Sequence, residues 1–135
     1  VVTVNAEQLR RMLNAAYGAR KGAFQVSGLE VKLKKCLVSD RLLSFSLPGG
    51  KKLDPKKKYR VVMPDFLARG GDGLGPALAT LEKSQIDLQE NRGTNVRDDL
   101  IAYWQAKKSS FKAPKPTRLS FVDTGETCAA PDAHQ

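Results

Sequence analysis

The stretch "MPDFLARGGDGLGPAL", residues 63–78, sets an aromatic ring and a carboxylate six positions apart on a glycine-rich turn. Phe66 offers a flat apolar face on which a planar ring can stack. Asp72, when ionised, only accepts hydrogen bonds, and its two oxygens can take two from a vicinal diol. Gly70, Gly71 and Gly73 permit positive φ angles and let a ligand approach the backbone with no Cβ in the way. A stacking ring beside a diol-binding acid suits a nucleoside, with the base on one and the ribose on the other. The same residues also make an ordinary connector, with Phe66 in the core at a strand end and Asp72 bonded to backbone amides. Gly/Asp turns are common, and spacing by itself favours that plainer reading.

Bond-making chemistry finds less support. Asp65, Arg69 and Asp72 could be arranged as an acid–base set, but no nucleophile or metal cluster accompanies them. Gly71-Asp72-Gly73 is not followed by the third glycine of a dinucleotide fingerprint, and no Gly-Lys-Ser/Thr follows to make a P-loop. The single histidine, His134, sits near the end of the chain. Cys36 and Cys128 are too far apart in sequence for CxxC redox or zinc spacing. They could close a long-range disulfide in an oxidising compartment or remain two thiols. The chain alone is expected to hold no metal and to be non-catalytic.

The elements that must position the turn follow from periodicity. Val1–Val4 is β-branched and reads as a strand. Asn5 can cap a helix whose apolar face is Leu9, Met12, Leu13 and Ala16, ended by Gly18 and Gly22. Alternation predicts strands over Ala23–Ser27 and Leu29–Leu33. Cys36–Val38 and Leu42–Leu47 flank Ser39-Asp40 as a hairpin-like pair. Residues 51–58 make a polar loop around Asp54-Pro55. Tyr59–Met63 is an apolar strand that Pro64 ends, because proline has no N–H for the ladder.

Beyond the turn, Pro76 can open a short helix with Ala77, Leu78 and Leu81 on its apolar side. Ile86 and Leu88 mark a brief strand. Thr94 or Asn95 can cap a helix through about Lys107, with Val96, Leu100, Ile101 and Trp104 expected to face inward. Residues 109–117 read as a linker and Arg118–Val122 as a last strand. Hairpins mixed with helices predict an α+β fold with a mixed or antiparallel sheet. One domain over 1–122 and a tail over 123–135 are expected.

The 135 residues carry 23 Lys+Arg against 14 Asp+Glu, a net charge of +9. Such a balance favours anionic partners without specifying a fold. The lysines concentrate in 32–35, 51–58 and 107–115. The plainer reading is a solvated surface, since few aromatics stand among them to stack bases. A basic nucleic-acid or polyanion-binding module is the alternative function, with nucleic acid the less favoured partner. No window approaches the ~20 apolar residues of a membrane span. Residues 1–8 lack the form of a secretory leader, and a strand at the very start suggests a fold that begins upstream.

Three segments carry a resemblance: "GAFQVSGLEVKL" (22–33), "KKLDPKKKYRVVMPDFLARGGDG" (51–73) and "NVRDDLIAYWQ" (95–105). In this order, with Leu53-Asp54-Pro55 leading into Tyr59, they resemble the C-terminal domain of the 5'-nucleotidase/UDP-sugar hydrolase family. The likeness runs from Val1 to about Asp99 and is weak beyond. It implies that Phe66 is the base-stacking aromatic and Asp72 the acid that binds the ribose hydroxyls. Gly70, Gly71 and Gly73 would shape the loop, and Asp65 stands where relatives often carry Asn. The resemblance further implies a nucleotide ligand and a linked N-terminal metallophosphoesterase domain holding two divalent metal ions. A second base-stacking aromatic and the phosphate-binding arginines would lie upstream of Val1. Relatives of this kind are periplasmic, secreted or surface-attached.

Overall fold

The computed structural model describes residues 1–18, 24–36, 41–88, 95–107 and 118–126. Strand β1 (Val2–Val4) is the innermost element, with Val2 and Val4 fully buried. Helix α1 (Ala6–Tyr17) starts where the sequence places it. The Asn5 side chain accepts the Gln8 N–H at 2.8 Å, and the Gln8 side chain accepts the Asn5 N–H at 3.0 Å. This reciprocal pair satisfies donors that the first turn cannot reach. Leu9, Met12, Leu13 and Ala16 are buried as their spacing predicts, and Tyr17 joins them. The Tyr17 hydroxyl donates to the Phe24 carbonyl at 2.9 Å. Burial pushes this phenol up to about 12, since the phenolate would lose its hydration. Gly18 caps the helix end, while Gly22 lies outside the described residues.

Two small sheets enclose the core. In the first, β4 (Tyr59–Val61) runs antiparallel to β1, with Thr3 opposite Arg60. In the second the order is β3-β2-β5. Here β2 (Glu30–Lys34) pairs antiparallel with β3 (Leu42–Ser46) and parallel with β5 (Leu119–Val122). The fold is therefore α+β, with one antiparallel and one mixed sheet.

The hairpin closes differently from its sequence pattern. The partner of residues 42–46 is the strand 30–34, and the Lys34 N–H donates to the Arg41 carbonyl at 2.7 Å; of the expected partner 36–38, residues 37 and 38 lie outside the described residues. Ser39 and Asp40 lie outside the described residues. Cys36 is buried and disulfide-bonded. Cys128, the chain's other cysteine, lies outside the described residues, as do His134, Thr94 and the expected linker. The Lys51–Lys58 loop is solvated as expected, its lysines exposed and its turn held by the Lys56 N–H on the Asp54 carboxylate at 2.9 Å.

Three further expectations differ from the structure. Phe24–Val26 joins no ladder among the described residues, and Ala23 lies outside them; Phe24 and Val26 instead pack their side chains on the core. Residues 86–88 form no strand. Ile86 makes one isolated bridge to Val2, after a 3-10 turn over Lys83–Gln85. The Asp87 N–H donates to the Val1 carbonyl at 2.8 Å, while on the other side of the bridge the Gln85 backbone N–H turns back to the Glu82 carbonyl and its side-chain amide takes the Thr3 carbonyl at 2.7 Å. Helix α4 (Val96–Lys107) forms, and the Asn95 side chain accepts the Arg97 N–H at 3.0 Å as its cap. Its expected inward face is exposed, Val96 by 63% and Trp104 by 56%. Periodicity marks an apolar face without saying what covers it. The core here is already closed by α1, the sheets and α3 (Gly75–Leu78).

Candidate functional site

The β4 segment delivers the chain to Pro64, whose carbonyl then accepts the N–H groups of Leu67 and Ala68, both at 3.1 Å. A single helical turn results, α2 (Asp65–Ala68). Its inner side is fixed by buried Ala68 and half-buried Leu67, both in contact with the core. That anchoring turns Asp65, Phe66 and Arg69 outward. Phe66 is 59% exposed, so it is a surface ring and not a core residue at a strand end. Asp65 and Arg69 form a loose ion pair at 3.9 Å with both side chains in solvent.

Gly70 ends the turn at φ 95°, and its N–H donates to the Leu67 carbonyl at 3.0 Å. The chain then doubles back through Gly71–Gly73. The Leu74 N–H donates to the Gly71 carbonyl and the Gly75 N–H to the Gly70 carbonyl, each at 3.1 Å. Buried Leu74 pins the far side of the loop, with Ala77 and Leu78 beneath it.

Asp72 sits at φ 50° and ψ 33°, the sole non-glycine residue with positive φ among those described. A left-handed conformation costs a non-glycine residue roughly 1 kcal/mol, and aspartate tolerates it better than most. Its carboxylate is exposed and makes no hydrogen bond or ion pair among the described residues. The connector reading, in which Asp72 caps backbone amides, is therefore not the arrangement found. The left-handed backbone at this position turns the carboxylate to solvent.

Phe66 and Asp72 are brought to one loop because the ring lies against Gly71. A β-carbon built at Gly71 would fall 2.4, 2.5 and 2.7 Å from Cε1, Cζ and Cδ1 of Phe66. The glycines thus have two different reasons. Gly70 and Gly73 need positive φ, at 95° and 80°. Gly71 does not, and its lack of a side chain is what gives the ring its place. The sequence pattern revealed neither distinction. It also passed over Leu67 and Leu74 as anchors, although two leucines flanking a glycine turn were the available signal.

A cavity of about 720 Å³ lies between α1 and the β4 segment and shares Leu67 and Leu74 with the loop's inner side. Its lining is mostly apolar and includes neither Phe66 nor Asp72. It therefore offers few groups to orient a polar ligand.

Residues 1–80 match the family model described as 5'-nucleotidase, C-terminal domain. That span is more than half of the 135-residue chain and contains the whole of the Phe66–Gly73 loop. The chain belongs to this family. No curated protein and no solved structure matches it. This 5'-nucleotidase C-terminal domain is accordingly the substrate-binding part of a 5'-nucleotidase-type protein, a class of hydrolases, and the family implies a linked N-terminal domain and a nucleotide ligand. The segment 95–105 and strand β5 lie beyond the matched residues.

The two divalent ions implied by the resemblance are those of a linked N-terminal domain. No group of three or more His, Cys, Asp or Glu among the described residues is placed to hold a metal. Among the described residues, Asp65 and Asp72 belong to no such group. No helix among the described residues is long and apolar enough to cross a membrane.

Proposed function

We propose that the 65–73 loop is the nucleoside-recognition element of a 5'-nucleotidase-type phosphohydrolase. Phe66 stacks the base, and Asp72 accepts hydrogen bonds from the ribose hydroxyls. Gly70, Gly71 and Gly73 hold the two at a fixed offset, and Asp65 borders the base. The observation that supports this most is the pairing of an exposed ring with an unpartnered carboxylate held at positive φ on the same loop. Neither feature helps a plain connector: an exposed phenylalanine gains little burial, and a left-handed aspartate costs stability.

The hydrolytic step belongs to a linked N-terminal metallophosphoesterase domain with two divalent ions, which would activate water and stabilise charge on the phosphoester. This chain's part is to bind and orient the nucleoside. Its charge of +9 assists by drawing in polyanionic nucleotides, an effect that salt screens. A periplasmic, secreted or surface location accords with the disulfide at Cys36, since such bonds persist in oxidising compartments.

The test is hydrolysis of a nucleoside 5'-monophosphate by the full-length protein with a divalent metal. Phosphate release with a KM raised by Phe66→Ala is expected, and the 135 residues alone should release none. Robust metal-dependent hydrolysis by the isolated chain would overturn the division of labour.

A further inference from the structure

We propose that Gly71 is a positioning residue for base recognition: it keeps the Phe66 ring in its stacking pose by having no side chain. The inference rests on the nucleoside reading of the loop and adds to it the reason for one glycine. Positions 70 and 73 are glycine because their backbones are left-handed, at φ 95° and 80°. Position 71 has no positive φ, so any L-residue could adopt its backbone conformation. What it cannot adopt is a β-carbon. One built there would lie 2.4–2.7 Å from three carbons of the Phe66 ring, far inside the ~3.5–4.0 Å of a carbon–carbon contact.

Relief of that clash has one easy direction. The ring is 59% exposed and free to swing outward, whereas the backbone at 70–75 is held by the Gly75-to-Gly70 and Leu74-to-Gly71 hydrogen bonds, each 3.1 Å. A methyl group at 71 therefore displaces the ring and leaves the loop in place. Asp72 is the next residue, so the offset between ring and carboxylate changes, and with it the fit to a base and ribose held together. A glycine kept only for flexibility would show no such dependence on Phe66.

The experiment is a double-mutant cycle on the full-length protein, with adenosine affinity measured for wild type, Gly71→Ala, Phe66→Ala and the double variant. Thermal unfolding of each is followed in parallel. Gly71→Ala is expected to weaken adenosine binding by roughly tenfold, the scale on which a base–aromatic stack contributes. The double variant is expected to bind no more weakly than Phe66→Ala, within about twofold, because the two changes remove the same contact. Two outcomes overturn the positioning role while leaving the nucleoside reading intact. One is losses that multiply; the other is a Gly71→Ala affinity within twofold of wild type beside a weakened Phe66→Ala. Loss of the fold in both Gly71→Ala backgrounds also overturns it, by placing the need for glycine in the backbone. An unchanged affinity in Phe66→Ala overturns both readings.

Discussion

Gly70 and Gly75 touch through their backbones. The Gly75 N–H donates to the Gly70 carbonyl at 3.1 Å, and a β-carbon at Gly70 would fall 2.9 Å from the Gly75 Cα. This contact closes the loop that carries Asp72. Gly70→Ala meets both a positive φ and a rigid neighbour, so it should destabilise the fold by about 1–3 kcal/mol. Urea unfolding of the variant beside wild type measures it. A change under 0.5 kcal/mol, on the order of an ordinary surface substitution, would mean the clasp is not needed.

Asp72 should trade stability for binding. Replacing it with glycine relieves the left-handed backbone, so Asp72→Gly is expected to gain ~0.5–1 kcal/mol in unfolding free energy. The same change removes the diol acceptor and should weaken ribonucleoside binding. Chemical denaturation and nucleoside titration on one preparation check both signs. A variant that is less stable than wild type would show that the carboxylate has a structural partner.

Phe66→Ala should leave the fold almost untouched. With the ring 59% exposed, the cost is expected below ~1 kcal/mol, against the ~3–5 kcal/mol of emptying a core phenylalanine site. Thermal unfolding decides between them.

Tyr17 gives a pH signature. Its phenol titrates at about 12 in the fold, against 10.0 for an ordinary tyrosine. Between those values the unfolded chain has released its proton and the native one has not, so native stability falls as pH rises through this window. Below pH 10 the stabilisation is fully present. Tyr17→Phe removes the titration and should flatten that part of the profile. It should also cost ~1 kcal/mol at neutral pH through the lost bond to the Phe24 carbonyl. Stability–pH curves of the two proteins, compared by difference, isolate the contribution of this phenol.

What the sequence made legible is what local chemistry decides. Asn5 and the Leu9–Ala16 periodicity specified α1 and its cap. The β-branched runs marked β1 and β4, and Pro64 marked where β4 gives way to the loop. What was not legible depends on partners distant in sequence. β2 lies parallel to β5, its Lys32 paired with Ser120, 88 positions later in the chain. Phe24–Val26 has a strand's alternation but no neighbour among the described residues to complete a ladder. The α4 face formed as periodicity predicts, yet nothing described covers it. In the loop, residue types suggested the ring and the acid. Only the folded geometry separates Gly71, empty for the sake of Phe66, from Gly70 and Gly73, glycine for the sake of φ.

The most direct measurement compares adenosine with 2',3'-dideoxyadenosine by calorimetric titration of the full-length protein, as wild type and as Asp72→Ala. Removing both ribose hydroxyls should weaken binding to wild type by roughly tenfold or more, since a hydrogen bond to a charged acceptor contributes about 1.5–3 kcal/mol. The same removal should make no difference to Asp72→Ala. Equal binding of the two ligands by the wild-type protein would contradict the assignment of Asp72, and with it the account of this loop as a nucleoside clamp.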